Sequence, residues 1–177
     1  MNVSSKQGPS PEVLAQLRSW GFHASMPEVK AFFSTRLADA DRTGLELAAD
    51  LSYGQHPRQK MDVYFPKANG IARPIMVFFH GGGFIRGDKT DRSNLGWWGA
   101  RQGFVTVLAN YRLAPEAQWP SGAQDVVAAC QQLREICTRF CGDPETIILA
   151  GESAGAAHVA AASLVRSFQD SNWKIAG

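Results

Sequence analysis

The chain has 177 residues, 45% of them apolar, enough for one globular domain with a hydrophobic core and too apolar for a disordered tail. Its 18 basic and 16 acidic residues leave a formal charge of +2 spread along the chain, so no basic stripe points to nucleic acid or to an anionic membrane. The first twenty residues lack the pattern of a signal peptide and no later run is apolar for long enough to span a bilayer, which makes a cytoplasmic address the expectation. Cys130, Cys137 and Cys141 form an odd set without CxxC spacing and are expected to be reduced thiols in the core. His23, His56, His80 and His158 are dispersed, so neither a metal nor any other cofactor is expected.

Up to about residue 47 the pattern is helical. Pro11 suits a helix start, followed by Val13, Leu14, Leu17 and Trp20, and a second segment from Pro27 holds Val29, Phe32, Phe33 and Leu37. Residues 1–47 are therefore expected to form a helical segment, in the place of a cap, and residues 48–177 the main domain. From residue 51 strand patterns take over. Residues 51–53 and 61–65 flank turn-forming residues 54–58 and predict an antiparallel pair at a sheet edge, with Met61, Val63 and Phe65 alternating against Asp62 and Tyr64. The unbroken apolar run 75–79 and the runs 104–109 and 146–150 predict strands buried on both faces of a parallel sheet. Helical spacers lie between them at 94–102 and 123–140, a small-residue helix follows Ser153, and residues 173–176 predict the start of another strand. Strand, helix, strand, helix, strand implies an α/β fold with right-handed crossovers.

The strongest chemical signal is Gly151-Glu152-Ser153-Ala154-Gly155, a G-x-S-x-G sequence between a predicted strand and a predicted helix, which is the setting of a nucleophile elbow. A serine on so sharp a turn needs glycine or alanine neighbours, and it has them. Alone, five residues with three fixed positions arise easily by chance. The second signal supports it: His80-Gly81-Gly82-Gly83 follows directly on the strand 75–79. Ester hydrolysis passes through a tetrahedral oxyanion, and consecutive glycines let backbone amides approach that oxygen closely. The same run begins like a phosphate loop, with Lys89 nearby, but Asp88 displaces the lysine and sets a negative charge where phosphates would lie.

Four landmarks in order carry a resemblance to a known family. They are Tyr53-Gly54 with Met61-Asp62-Val63-Tyr64; His80 to Phe84 with Gly87-Asp88; Tyr111-Arg112-Leu113-Ala114-Pro115-Glu116 with Trp119-Pro120; and Gly142-Asp143-Pro144 leading to the elbow. Over residues 50–165 the chain resembles the α/β-hydrolase esterases, a group with hormone-sensitive-lipase-like carboxylesterases, feruloyl-esterase-like and kynurenine-formamidase-like proteins. The resemblance implies an α/β-hydrolase fold, a mostly parallel sheet with flanking helices, and a small-molecule ester as substrate. It implies Ser153 as nucleophile, the amides of Gly82, Gly83 and Ala154 as oxyanion hole, and His80 as a structural residue that orients the glycine run. Glu152 and residues 111–116 are expected to brace loops rather than do chemistry.

In such hydrolases the triad runs Ser, then Asp or Glu, then His. The 24 residues after Ser153 hold His158 and Asp170 in the reverse order, and His158 stands one and a half helical turns from the serine. The expectation is a chain truncated after the nucleophile helix, nearly inactive by itself and open to self-association along an unpaired sheet edge. Three other readings are an amide-cleaving formamidase-like enzyme, a non-catalytic remnant that acts by binding, and a nucleotide binder dependent on Lys89.

Overall fold

A computed structural model describes residues 9–21, 23, 25–38, 41–169 and 175. Its contacts divide the chain into two compact units, Met1–Asp41 and Arg42–Gly177. The first holds α1 (Pro11–Trp20) and α2 (Met26–Ala38). Pro11 opens α1, where its missing N–H costs nothing, and the Ser10 hydroxyl accepts from the Val13 amide. At the start of α2, Ser25 and Glu28 cap each other reciprocally: the Ser25 amide donates to Glu28 Oε2 at 3.0 Å and the Glu28 amide to Ser25 Oγ at 3.4 Å. Trp20 of α1 meets Phe32 of α2 edge-on at 5.3 Å.

The second unit is a five-stranded mixed sheet with helices on both faces. Its elements in chain order are β1 (Leu45–Ser52), β2 (Lys60–Pro66), β3 (Arg73–Phe79), α3 (Ser93–Arg101), β4 (Val105–Ala109), α4 (Ser121–Ile136), β5 (Gly142–Gly151) and α5 (Ala154–Leu164). The strand order is β1-β2-β4-β3-β5. β1 and β2 are antiparallel, as are β2 and β4, whereas β3 runs parallel to both β4 and β5. Among the described residues β5 pairs only with β3. The strand predicted at 173–176 lies outside the described residues, apart from Ile175.

β1 begins at Leu45, six residues before the strand read from the sequence. Leu45-Glu46-Leu47-Ala48-Ala49 favours helix by propensity, and pairing with β2 overrides it: Leu45 lies against Pro66 and Leu47 against Tyr64. The register slips between Ala48 and Leu51, where Asp50 takes φ 58°.

β2 alternates as its sequence says, but both of its faces are buried because it lies inside β1, not at the edge. Met61, Val63 and Phe65 enter the main core with Val77, Val107, Val126 and Leu133. Tyr64 enters a smaller one under α3, with Leu108 and Ala100, where Trp97 meets it edge-on at 4.9 Å. α3 can approach this closely because Gly96 sits on the Tyr64 ring, where a Cβ would come within 2.5 Å of Cδ2. On the opposite face, α4 turns Ala123, Val126, Val127, Cys130 and Leu133 inward at helical spacing. Each fully buried valine or leucine here contributes roughly 1.5–3 kcal/mol.

Cys130 and Cys137 are free and buried, and burial pushes the Cys130 thiol up to about 12. No helix among the described residues is long and apolar enough to cross a membrane.

Candidate active site

β3 and β5 are parallel neighbours in register, with Phe79 opposite Gly151 at their ends. The segments that follow them therefore leave the sheet side by side, at the carboxyl edge where open α/β sheets bind ligands. One is the glycine loop from His80, the other the turn at Ser153.

Ser153 is exposed and takes φ 50° and ψ −114°, a region that non-glycine residues rarely adopt, and α5 starts at the next residue. Backbone contacts hold the turn. The Glu152 amide donates to the Phe79 carbonyl at 3.1 Å and the Gly155 amide to the Glu152 carbonyl at 2.9 Å. A Cβ on Gly155 would overlap the carbonyl of Phe79, and one on Gly151 would lie 2.6 Å from the Ala156 nitrogen. Both glycines of the motif are thus required by close approach of backbone to backbone. Ala154 is the first residue of α5, so its amide has no acceptor within the helix.

In the facing loop, Gly82 and Gly83 have φ 144° and 62°. The Gly82 carbonyl accepts from the amides of Ile85 at 3.3 Å and Arg86 at 3.2 Å, closing a turn so tight that a Cβ on Gly82 would overlap the Arg86 carbonyl. Among the described residues nothing accepts from the amides of Gly82 and Gly83. Gly81 packs on the elbow, where a Cβ would sit 3.2 Å from the Glu152 carbonyl.

His80 is buried beneath this loop, stacked on Tyr111 at 4.6 Å. Its Nδ1 lies 2.7 Å from the Gly81 carbonyl and its Nε2 3.3 Å from Nη2 of Arg58. A neutral ring that donates from Nδ1 and accepts at Nε2 satisfies both contacts, and burial lowers its pKa, favouring that form. Arg58 further donates to the carbonyls of Tyr111 and Gly87, each at 2.8 Å, and the Tyr111 hydroxyl donates to the His80 carbonyl at 3.0 Å. The imidazole is thus a brace between loops.

Sequence reasoning missed the charged groups that anchor this scaffold. Lys89 is buried, with Nζ 2.8 Å from Asp62 Oδ1 and 2.9 Å from Asp50 Oδ1. Burial alone would lower its pKa, but those two carboxylates outweigh it and the net shift is upward. With its charge so engaged, Lys89 does not face the glycine loop as a phosphate ligand would. Asn110 links the same segment, accepting from the Lys89 amide at 2.6 Å and donating to Asp88 at 2.7 Å. Asp125, fully buried on α4, accepts from the Arg112 amide at 2.8 Å and from Gln59 at 2.8 Å, and pairs with the Arg112 guanidinium. Asp62, Asp88 and Arg112 stand within the landmarks named above, but the pairs they form, and the parts played by Asp50, Asn110 and Asp125, leave no mark in local spacing.

Glu152 is bound to Arg92, whose Nε donates to it at 2.7 Å. His56 faces Glu116 at 3.2 Å, His23 is an exposed residue of the first unit, and Asp170 lies outside the described residues. His158 points between Phe84 and Tyr111, with ring centroids at 5.2 and 4.8 Å. Among the described residues no imidazole is hydrogen-bonded to Ser153, and no group of three potential metal ligands occurs.

Residues 61–173 match the BD-FAE family model. The chain belongs to the BD-FAE family. It is also 34% identical over 123 residues to an isoprenylcysteine alpha-carbonyl methylesterase of Arabidopsis thaliana, covering 68% of this chain and 28% of that protein. To the para-nitrobenzyl esterase of Bacillus subtilis strain 168 it is 37% identical over 128 residues, covering 63% and 26%. This BD-FAE chain thus spans little more than a quarter of the length of these curated relatives. Among solved structures, esterase B from Lactobacillus rhamnosis superposes with a TM-score of 0.71 at 23% identity, over 93% of this chain and 55% of that one. A bacterial heroin esterase does so with a TM-score of 0.67 at 25% identity, over 89% and 52%. The fold of Arg42–Gly177 is that of the α/β-hydrolase esterases.

Proposed function

We propose that this chain carries the nucleophile and the oxyanion cradle of a serine-dependent carboxylic-ester hydrolase. The observation that carries the reading is the turn at Ser153: a serine at positive φ, between β5 and α5, pinned by backbone contacts to the end of β3 and beside a glycine loop with two uncommitted amides. In this reading the Ser153 hydroxyl attacks the ester carbonyl and the amides of Gly82, Gly83 and Ala154 take the charge that develops on its oxygen. Collapse of the tetrahedral intermediate expels the alcohol, and water then releases the acyl group from the serine. The named activities of the curated relatives, both esterases, support ester cleavage over amide cleavage.

A hydroxyl without a base is a weak nucleophile. His80, His56 and His158 are each held elsewhere, so the 177 residues by themselves should turn esters over slowly, with an acceleration of about 10³–10⁴ over water from the cradle and binding. Hydrolysis of p-nitrophenyl acetate by the purified chain tests this when imidazole is supplied in solution. The expected result is a rate that rises with imidazole in the wild type beyond the free-solution reaction and shows no such rise in Ser153→Ala. Equal rates in both proteins at every imidazole concentration would remove Ser153 from the mechanism.

A further inference from the structure

We propose, on the serine-hydrolase reading above, that Arg92 is a positioning residue for Ser153: paired with Glu152, it clamps the elbow to the segment that continues the glycine loop. Glu152 directly precedes Ser153, so whatever fixes its side chain bears on the turn that presents the hydroxyl.

Arg92 closes a short 3-10 turn, Lys89–Arg92, which the chain enters two residues after Gly87. That turn is an anchored point. Lys89 is held by Asp62 and Asp50, and Asp88 and Asp91 cap the turn reciprocally, the Asp88 amide donating to Asp91 Oδ2 at 3.2 Å. From there the guanidinium reaches back to the elbow. Its Nε donates to Glu152 Oε2 at 2.7 Å and its Nη2 lies 2.5 Å from the same oxygen, while Nη1 donates to the Asp91 carbonyl of its own turn at 3.1 Å. All three nitrogens are engaged, two on the elbow and one on the anchor. A planar fork fixed in this way sets a direction that the single ammonium of a lysine could not.

The Glu152 side chain reaches Arg92 by lying across Gly81. A Cβ on Gly81 would come within 3.4 Å of its Cγ and Cδ and 3.2 Å of the Glu152 carbonyl. Glu152 thus packs on the first glycine of the run and, through Arg92, is tied to the turn that follows the loop. The contacts of Glu152 and Gly155 with the end of β3 hold the base of the elbow at the sheet, and the Arg92 pair adds a second tie away from it. Partly exposed ion pairs add little to overall stability, and these two side chains are 29% and 44% exposed, so the effect of the pair falls on local geometry. Catalysis is the more sensitive readout, since misplacing reacting groups by about 1 Å can cost about 10²-fold in rate.

The imidazole-dependent hydrolysis of p-nitrophenyl acetate, with amide exchange followed by NMR, tests the clamp on the 177-residue chain. In Arg92→Met, kcat should fall about tenfold with KM within about twofold of the wild type, because a positioning residue acts on the reacting geometry and not on ground-state binding. Arg92→Lys, which keeps the charge but not the fork, should recover part of the loss. The double variant Arg92→Met/Glu152→Ala removes one charge of each sign, so the local net charge is that of the wild type, and it should be as slow as Arg92→Met. Exchange at the Glu152 and Gly155 amides, whose hydrogen bonds shape the elbow, should quicken in Arg92→Met while the amides of β4 exchange as before. Should Arg92→Met fold poorly, Glu152→Ala, at an exposed position, carries the same measurements. A wild-type rate in Arg92→Met, a loss confined to KM, or unchanged exchange at the elbow would each overturn the proposal. So would a double variant that regains the wild-type rate, which would reduce the pair to charge compensation. If the wild type shows no hydrolysis that depends on Ser153, the reading of Ser153 fails, and this role for Arg92 fails with it.

Discussion

Ser153 is held at φ 50° by its neighbours' backbone rather than by its own side chain. Such a conformation costs on the order of 1–3 kcal/mol and persists only where the surroundings enforce it. Two glycine substitutions separate enforcement from permission. In Gly155→Ala the new methyl collides with the carbonyls at the end of β3, which can yield only if β3 and α5 part. The expected cost is roughly 1–3 kcal/mol in urea unfolding, with loss of imidazole-dependent hydrolysis. Gly83 also has positive φ, but a methyl there meets nothing within 4 Å. Gly83→Ala should therefore lose only the conformational term, about 1–2 kcal/mol, and keep its amide in place, with hydrolysis falling by less than about tenfold. If the two variants behave alike, contact with β3 is not what holds the elbow. The motif glycines were legible from the sequence, since a sharp turn leaves few residue choices. The division of labour between Gly155 and Gly83 was not, because it depends on what lies opposite each one.

At the scale of elements, Lys89 ties the segment after the glycine loop to β2 and to the irregular part of β1 through Asp62 and Asp50. Both Lys89 and Asp62 are almost fully buried, whereas Asp50 is 71% exposed, so the pair with Asp62 dominates. Lys89→Met would leave the Asp62 carboxylate buried and uncompensated, and breaking such pairs costs about 3–5 kcal/mol. The chemical-denaturation midpoint should fall accordingly, and adding Asp62→Asn should restore part of the loss. A single variant as stable as the wild type would show that the pair does not anchor the segment. The strands 75–79, 104–109 and 146–150 were legible as apolar runs, and the helices by their periodicity. β1 was not, since its composition favours helix and only the partner strand decides otherwise.

For the whole molecule, burial depresses the pKa of both His80 and His158 below the ordinary imidazole value of 6.5. The unfolded chain therefore takes up protons at these positions at a higher pH than the folded one. The stability linked to them is fully present above about pH 6.5 and is lost as pH falls through and below that value. Urea midpoints measured between pH 7.5 and 5 should decline, and His158→Phe should flatten the decline. A midpoint independent of pH across that window would contradict the buried, neutral state of both rings. Burial would raise the pKa of Asp88, but hydrogen bonds from Thr90 and Asn110 outweigh it and the net shift is downward, so its contribution is present across that window and is lost only as pH falls below the ordinary carboxylate range.

The sequence by itself determined the local grammar: a buried strand, a turn of glycine and alanine around Ser153, a helix, and a glycine run after another buried strand. Steric limits on φ and the periods of helix and strand act over a few residues and leave their mark in spacing. Tertiary structure alone decided that β3 and β5 are neighbours, so that Phe79 and Gly151 end side by side and Gly81 packs against the elbow at Glu152. It also decided that Arg58, Asn110 and Asp125 brace the loops, and that the His158 ring lies between Phe84 and Tyr111. Those contacts join residues far apart in the chain, and their energies depend on burial and distance rather than on local spacing.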